Sequence, residues 1–282
     1  MKASEFTSNL SSSIKSVGKI LLKSRSSKIS RRDNDQPLII LANGPSLNAT
    51  MAESLETLRH FPTMTVNFAP CTDMFFAIKP EFHILADPLF FAENKSQKIE
   101  DMYAAMRGVD WKLTLLVPAD CKDRLPKSVL KNNAYINVET FNFVGLEGFD
   151  FFKNLLYDKK KGMPRPRNVL VPALMCGIWL GFKEIYIAGA DHSWMQTISV
   201  DENNNVISVQ PHYYKEDASE QKRVDTAYRD YRLHQIVESF AIAFKSYHEV
   251  NRYAECRNVK IYNSTPGSFI DAFPRRPLPA LT

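Results

Sequence analysis

Seven short apolar runs, separated by helix-compatible segments, set the tightest limit on what this chain can fold into. The runs are 37–42, 63–68, 82–86, 112–117, 134–138, 184–188 and 258–262, and the helical segments are 49–60, 91–106, 168–181 and 223–255. Strands joined through helices cross over rather than turn back, so they pair in parallel, and the helices cover both faces of the sheet. With 282 residues, 44% of them hydrophobic, the chain can bury one large core.

The ends and interruptions bound the rest. The net charge is +5, yet Lys2, Lys15, Lys19, Lys23, Arg25, Lys28, Arg31 and Arg32 face only Glu5 and Asp33 within residues 1–33. The excess positive charge therefore belongs to the first segment, and the body is close to neutral. A nucleic-acid partner calls for a basic folded face, so that class is set aside. Residues 1–36 read in two ways, as a disordered basic tail or as an amphipathic helix on an anionic membrane surface, with Leu10, Ile14, Val17 and Ile20–Leu22 at helical spacing. No apolar run reaches the length of a membrane span, and the start lacks the apolar core of a signal peptide. Cys71, Cys121, Cys176 and Cys256 show no paired spacing and read as free thiols of a reducing cytoplasm. Residues 159–167 form a basic, proline-containing loop that reads first as solvated surface, with contact to an anionic ligand as the alternative. Residues 192–222 are long and polar, with a hairpin tip at Asp201–Asn205, and read as a lid-like insert. The expected fold is α/β: a mostly parallel, Rossmann-like sheet over 37–282 with helices on both faces and this insert.

Ligands of such sheets bind at the carboxyl ends of the strands, and the informative polar residues fall there. The first run, Pro37–Ala42, stops at Asn43-Gly44-Pro45-Ser46. Gly44 allows close backbone approach to a ligand, and Pro45 fixes φ and removes a donor. Ser46 is placed to cap the next helix, whose N-terminal amides favour an anion. Neither GxGxxG nor GxxxxGK[ST] is present. Asn67 ends the second strand, Asp87 follows the third, and Asp191 follows the run 185–190. Asp87 and Asp191 can hold a ribose hydroxyl or a Mg²⁺ ion on a diphosphate; for Asp191 a helix cap is the structural alternative. His83, inside an apolar strand, reads as a satisfied core histidine.

Four segments in order resemble a known group: Asn43-Gly44-Pro45-Ser46-Leu47, Val66-Asn67-Phe68, Ala86-Asp87-Pro88-Leu89-Phe90-Phe91, and Leu180 through Asp191. They are similar to the bacterial sialyltransferases of glycosyltransferase family 42. They equally resemble the wider group holding flagellin nonulosonate transferases and archaeal hydroxymethylpterin pyrophosphokinases. The resemblance covers about residues 37–92 and 168–192, with weaker echoes at Pro211-His212-Tyr213 and 262–268. It implies that Asn43, Gly44 and Ser46 contact the phosphate or ribose of a cytidine monophosphate donor, that Asn67 binds sugar or phosphate, and that His212, in a His-Tyr segment, is the catalytic base. Asp87 stands where that family has Asn, and Ser193 where it has Tyr.

The chemistry of the residues agrees with a transferase, since a hydroxyl acceptor needs a base and histidine serves near neutral pH. His212 is the first candidate and His192 the second. The expected function is a cytoplasmic glycosyltransferase of a bacterial surface-polysaccharide or glycoprotein pathway, with a nucleotide-sugar donor and a glycan or protein acceptor. A peripheral attachment to the inner membrane and a homo-oligomer are further expectations. No cofactor is required, although Mg²⁺ would accompany a diphosphate donor. Two alternatives stand beside it: a Mg²⁺-dependent pyrophosphokinase acting on a pterin-like alcohol, and a non-catalytic nucleotide-binding anchor protein.

Overall fold

A computed structural model describes residues 3–126, 133–208 and 231–281. Seven parallel strands form the main sheet: β1 (Leu38–Leu41), β2 (Thr63–Val66), β3 (Phe82–Ile84), β4 (Leu113–Pro118), β5 (Ile136–Phe141), β6 (Glu184–Ala188) and β9 (Lys260–Asn263). Their order is β5-β4-β3-β2-β1-β6-β9. All seven expected strands are present, and the sheet is parallel at each pairing.

Burial on both faces explains the apolar runs. Along β1, Leu38 and Ile40 enter one core and Ile39 and Leu41 the other. One face is covered by α2 (Leu47–His60), α3 (Asp73–Ile78) and α4 (Gln97–Met106). The other is covered by α5 (Asp150–Asp158), α6 (Leu170–Leu180) and α7 (Leu233–Glu255). Helix α6 is buried along its whole length. Helices α3 and α5 were not expected, and α4 starts at Gln97 rather than 91. Pro88–Phe91 is instead a short 3₁₀ turn, capped by the Asp87 carboxylate accepting from Leu89 N at 2.9 Å.

Residues 3–36 are ordered on the body. Helix α1 (Ala3–Lys23) docks through a polar face. Ser16 is fully buried, its hydroxyl donating to Glu147 O at 2.9 Å while accepting from Glu147 N at 2.8 Å. Gly148, at φ +117°, lets the helix lie flush, because a Cβ there would sit 2.1 Å from Ser13 Oγ. The strap that follows buries Ile29 in the core and sets Arg32 on the buried Glu139 at 3.0 Å. Of the two readings of this segment, the helical one is what forms. Its lysines lie on the side of the helix away from its apolar stripe, rather than flanking it.

The insert begins with a 3₁₀ turn at Trp194–Thr197 and an antiparallel hairpin, β7 (Ile198–Val200) and β8 (Val206–Ser208). Its tip falls at Asp201–Asn205 as expected, held by the Asp201 carboxylate accepting from Asn203 N and Asn205 N. Val206, Ile236 and Phe240 pack with Trp194 and Ile198, which roots the hairpin on α7. His212 lies outside the described residues. No described helix is long and apolar enough to cross a membrane, and the four cysteines are free.

Candidate functional site

The chain leaves β1 towards β2 on one side and returns to β6 on the other. Two loops therefore diverge from neighbouring strand ends, which is where open α/β sheets form a ligand crevice. A cavity of about 440 Å³ opens there. The loops after β1, β2, β3 and β6 supply Asn43, Gly44, Pro45, Asn67, Asp87, Asp191 and His192 to its lining, and the segment before α6 supplies Arg167 and Asn168. Six of the seven expected donor-side residues thus meet at one place.

Two amides stand out. Asn43 donates from Nδ2 to Val66 O at 3.4 Å, but its Oδ1 is buried with no donor facing it. Asn67 takes the left-handed backbone at φ 52°, donates N–H to Ile84 O, and likewise leaves Oδ1 buried without a donor. A buried amide oxygen without a partner is costly, and a hydroxyl or amine donor satisfies it. These two positions fit the hydroxyls of a sugar or ribose better than phosphate oxygens, which accept.

Ser46 does not cap α2 as expected, and Gly44, which lines the cavity, also has a packing reason to be glycine. The Ser46 side chain makes no cap bond to α2, and its hydroxyl donates to Asp191 Oδ2 at 2.8 Å, with Ser46 N at 3.4 Å from the same oxygen. Ser46 is absent from the cavity lining. The start of α2 therefore already faces a carboxylate, which takes the anion's place. Gly44 is needed because a Cβ would lie 1.9 Å from Asp191 Oδ2 and 2.6 Å from Gly189 O. The neighbour that a Cβ would meet is the β6 loop. Asp191 therefore works as a latch between the two loops.

Arg167 comes from the loop expected to be solvated surface. It lines the cavity and is the sole lysine or arginine in that lining among the described residues. Asp87 is exposed at the rim, with one oxygen held by Leu89 N. Among the described residues no three His, Cys, Asp or Glu side chains gather as a metal site.

His192 is held in a fixed pose. It stacks on Trp194 with ring centroids 4.2 Å apart, and its Nδ1 lies 3.0 Å from Tyr247 Oη. Asn168 Nδ2 donates to the same Tyr247 oxygen at 2.6 Å. With Asn168 donating to the Tyr247 oxygen, the hydroxyl is left to donate to Nδ1, which places the imidazole proton on Nε2. Burial pushes the imidazole down to about 3, so it is neutral. Neutral His192 is a weak base and a good N–H donor. Tyr247 and Asn168 escaped the sequence reading, because nothing local marks a tyrosine on an amphipathic helix as a partner of a residue 55 positions away. His83 is buried as expected, but only Nδ1 is paired, with Thr65 Oγ1 at 2.9 Å, while Nε2 has no partner.

No protein-family model and no curated protein matches this chain. Among solved structures, it is similar to the MAf glycosyltransferase from Magnetospirillum magneticum AMB-1, with a TM-score of 0.51 at 12% identity over 98% of this chain. The chain spans 39% of the length of that protein, and at this identity the likeness is one of fold, with the same Rossmann-like α/β layout.

Proposed function

We propose that this chain is a sialyltransferase-like glycosyltransferase that moves a sugar from a nucleoside-monophosphate-activated donor to a hydroxyl of a glycan or glycoprotein, as in bacterial surface-polysaccharide assembly. The observation that carries the reading is the pair of donor-less oxygens, Asn43 Oδ1 and Asn67 Oδ1, beside a cavity with one arginine. A ligand hydroxyl that reached either oxygen would supply its missing donor, and one arginine matches the charge of one phosphate. The fold shared with a glycosyltransferase adds to it.

In this reading Asn43 and Asn67 orient ribose and sugar, Arg167 holds the leaving phosphate, and the Nε2–H of His192 adds a neutral donor to it. Asp87 takes a ribose hydroxyl with its free oxygen. His212 remains the proposed base that removes the acceptor proton. The hairpin leading towards it is rooted on Trp194, which stacks on His192 at the cavity wall.

The test is a screen of CMP-, UDP- and GDP-linked sugars and of ATP with Mg²⁺, against hydroxyl acceptors, following the nucleotide released. Release of cytidine monophosphate is the expected result. Nucleoside diphosphate would keep the transferase and discard the monophosphate donor. Adenosine monophosphate would move the chain to the pyrophosphokinases, and binding without release would make it an anchor protein.

A further inference from the structure

The docked face of α1 is mainly polar, with Ile20 its apolar contact to the core, and most of its apolar side chains are left outside. Leu10, Ile14, Val17 and Leu21 are 44%, 64%, 42% and 77% exposed. Their spacing of four, three and four is that of alternating a and d positions in a heptad, and Ala3 and Thr7 extend it to the helix start. Phe6 flanks this seam and packs on Phe149, whose ring stacks on that of the exposed Phe151 of α5. The exposed Leu155 lies one turn further along α5. A cluster of exposed apolar side chains of this kind marks an interaction site.

The flanks indicate what covers it. Ser4, Ser11 and Gly18 run along one edge of the seam, small and uncharged, and a Cβ at Gly18 would meet nothing within 4 Å. A second helix can therefore come close without meeting like charge. Lys15, Lys19 and Lys23 lie on the far side, and Lys19 is turned to Glu147. These lysines would face water over a bilayer as well, so it is the small, uncharged edge that points to a second helix. A heptad-spaced seam with charge-free edges is complementary to itself.

We propose that a second copy of this chain covers the seam, giving an isologous dimer in which two α1 helices pack across a twofold axis and Phe151 and Leu155 extend the contact. Ile14 lies near the middle of the helix and so close to the axis.

Light-scattering mass measurements on the full chain at tens of micromolar test this. The native chain should show twice the 32.2 kDa of one chain. Leu10→Glu combined with Leu21→Glu should halve that mass while leaving the circular dichroism spectrum unchanged, because both side chains are exposed. In a Cys71→Ser, Cys256→Ser background, Ile14→Cys should form a covalent dimer on oxidation and Lys15→Cys should not. A monomeric native chain, or a dimer that survives the glutamate pair, overturns the proposal. So does a monomer whose binding to phosphatidylserine vesicles is abolished by the same pair, which would make lipid the occupant.

Discussion

Arg167 shares the cavity lining with two carboxylates, Asp87 and Asp191. A phosphate held there depends on that one guanidinium. Loss of a hydrogen bond to a charged group costs roughly 1.5–3 kcal/mol, or about 10–100-fold in affinity. Arg167→Ala should raise the donor dissociation constant by that factor, and Arg167→Lys should recover part of it. Calorimetric titration checks this, and unchanged affinity would remove Arg167 from the site. The two histidines separate by a different readout. His212→Ala should lower kcat by about 10²–10⁴-fold with donor affinity nearly unchanged. His192→Ala and Tyr247→Phe should instead weaken donor binding, since their proposed part is to present an N–H. A collapse of kcat in His192→Ala with near-normal turnover in His212→Ala would exchange the roles.

Among the elements, the strap after α1 bears the largest consequence. Ile29 fills the core, and Arg32 bonds the buried carboxylate of Glu139 and the Thr114 hydroxyl. Deleting residues 1–36 would uncover apolar surface and strand Glu139 without its cation. The melting temperature of that truncation should fall clearly below that of one lacking only residues 1–23, and equal values would show that the strap contributes nothing. Strands were legible in the sequence because burial on both faces writes an unbroken apolar run. Helix α3, of six residues, is too short to show a period. In α5 the signal is obscured because Lys153 is buried against Glu249 at 2.8 Å while Phe151 is exposed. Site positions were legible where topology alone places them, as with Asn43, Asn67, Asp87 and Asp191. The work of Gly44 and Ser46 was not, because the residue that defines it comes from the far side of the sheet. For Arg167 the loop was marked but the residue was not, because its basic neighbours look alike in the sequence.

For the molecule as a whole, acid is the weak side. Burial holds His83 and His192 each down to about 3. Between that value and the ordinary 6.5 the unfolded chain takes up protons that the folded chain refuses. Stability from these groups is complete above about pH 6.5 and drains away as the pH falls towards 3. The urea midpoint should drop between pH 7.5 and pH 5, and the drop should shrink in His83→Gln even if that variant is weaker at every pH. A midpoint that is level across this range would show that neither imidazole resists protonation.

The Ser46–Asp191 latch joins residues 145 positions apart. No nascent fragment ending before β6 can hold the cavity, whatever strands it has already paired. The cavity is accordingly completed only when the return strand arrives beside β1. A ligand that needs both loops has nothing to grip in the earlier species. Saturating donor should therefore slow unfolding in stopped-flow experiments and leave the refolding rate where it was. A faster refolding arm would place closure of the two loops before the barrier, and the chain would then be able to sense its substrate while still being made.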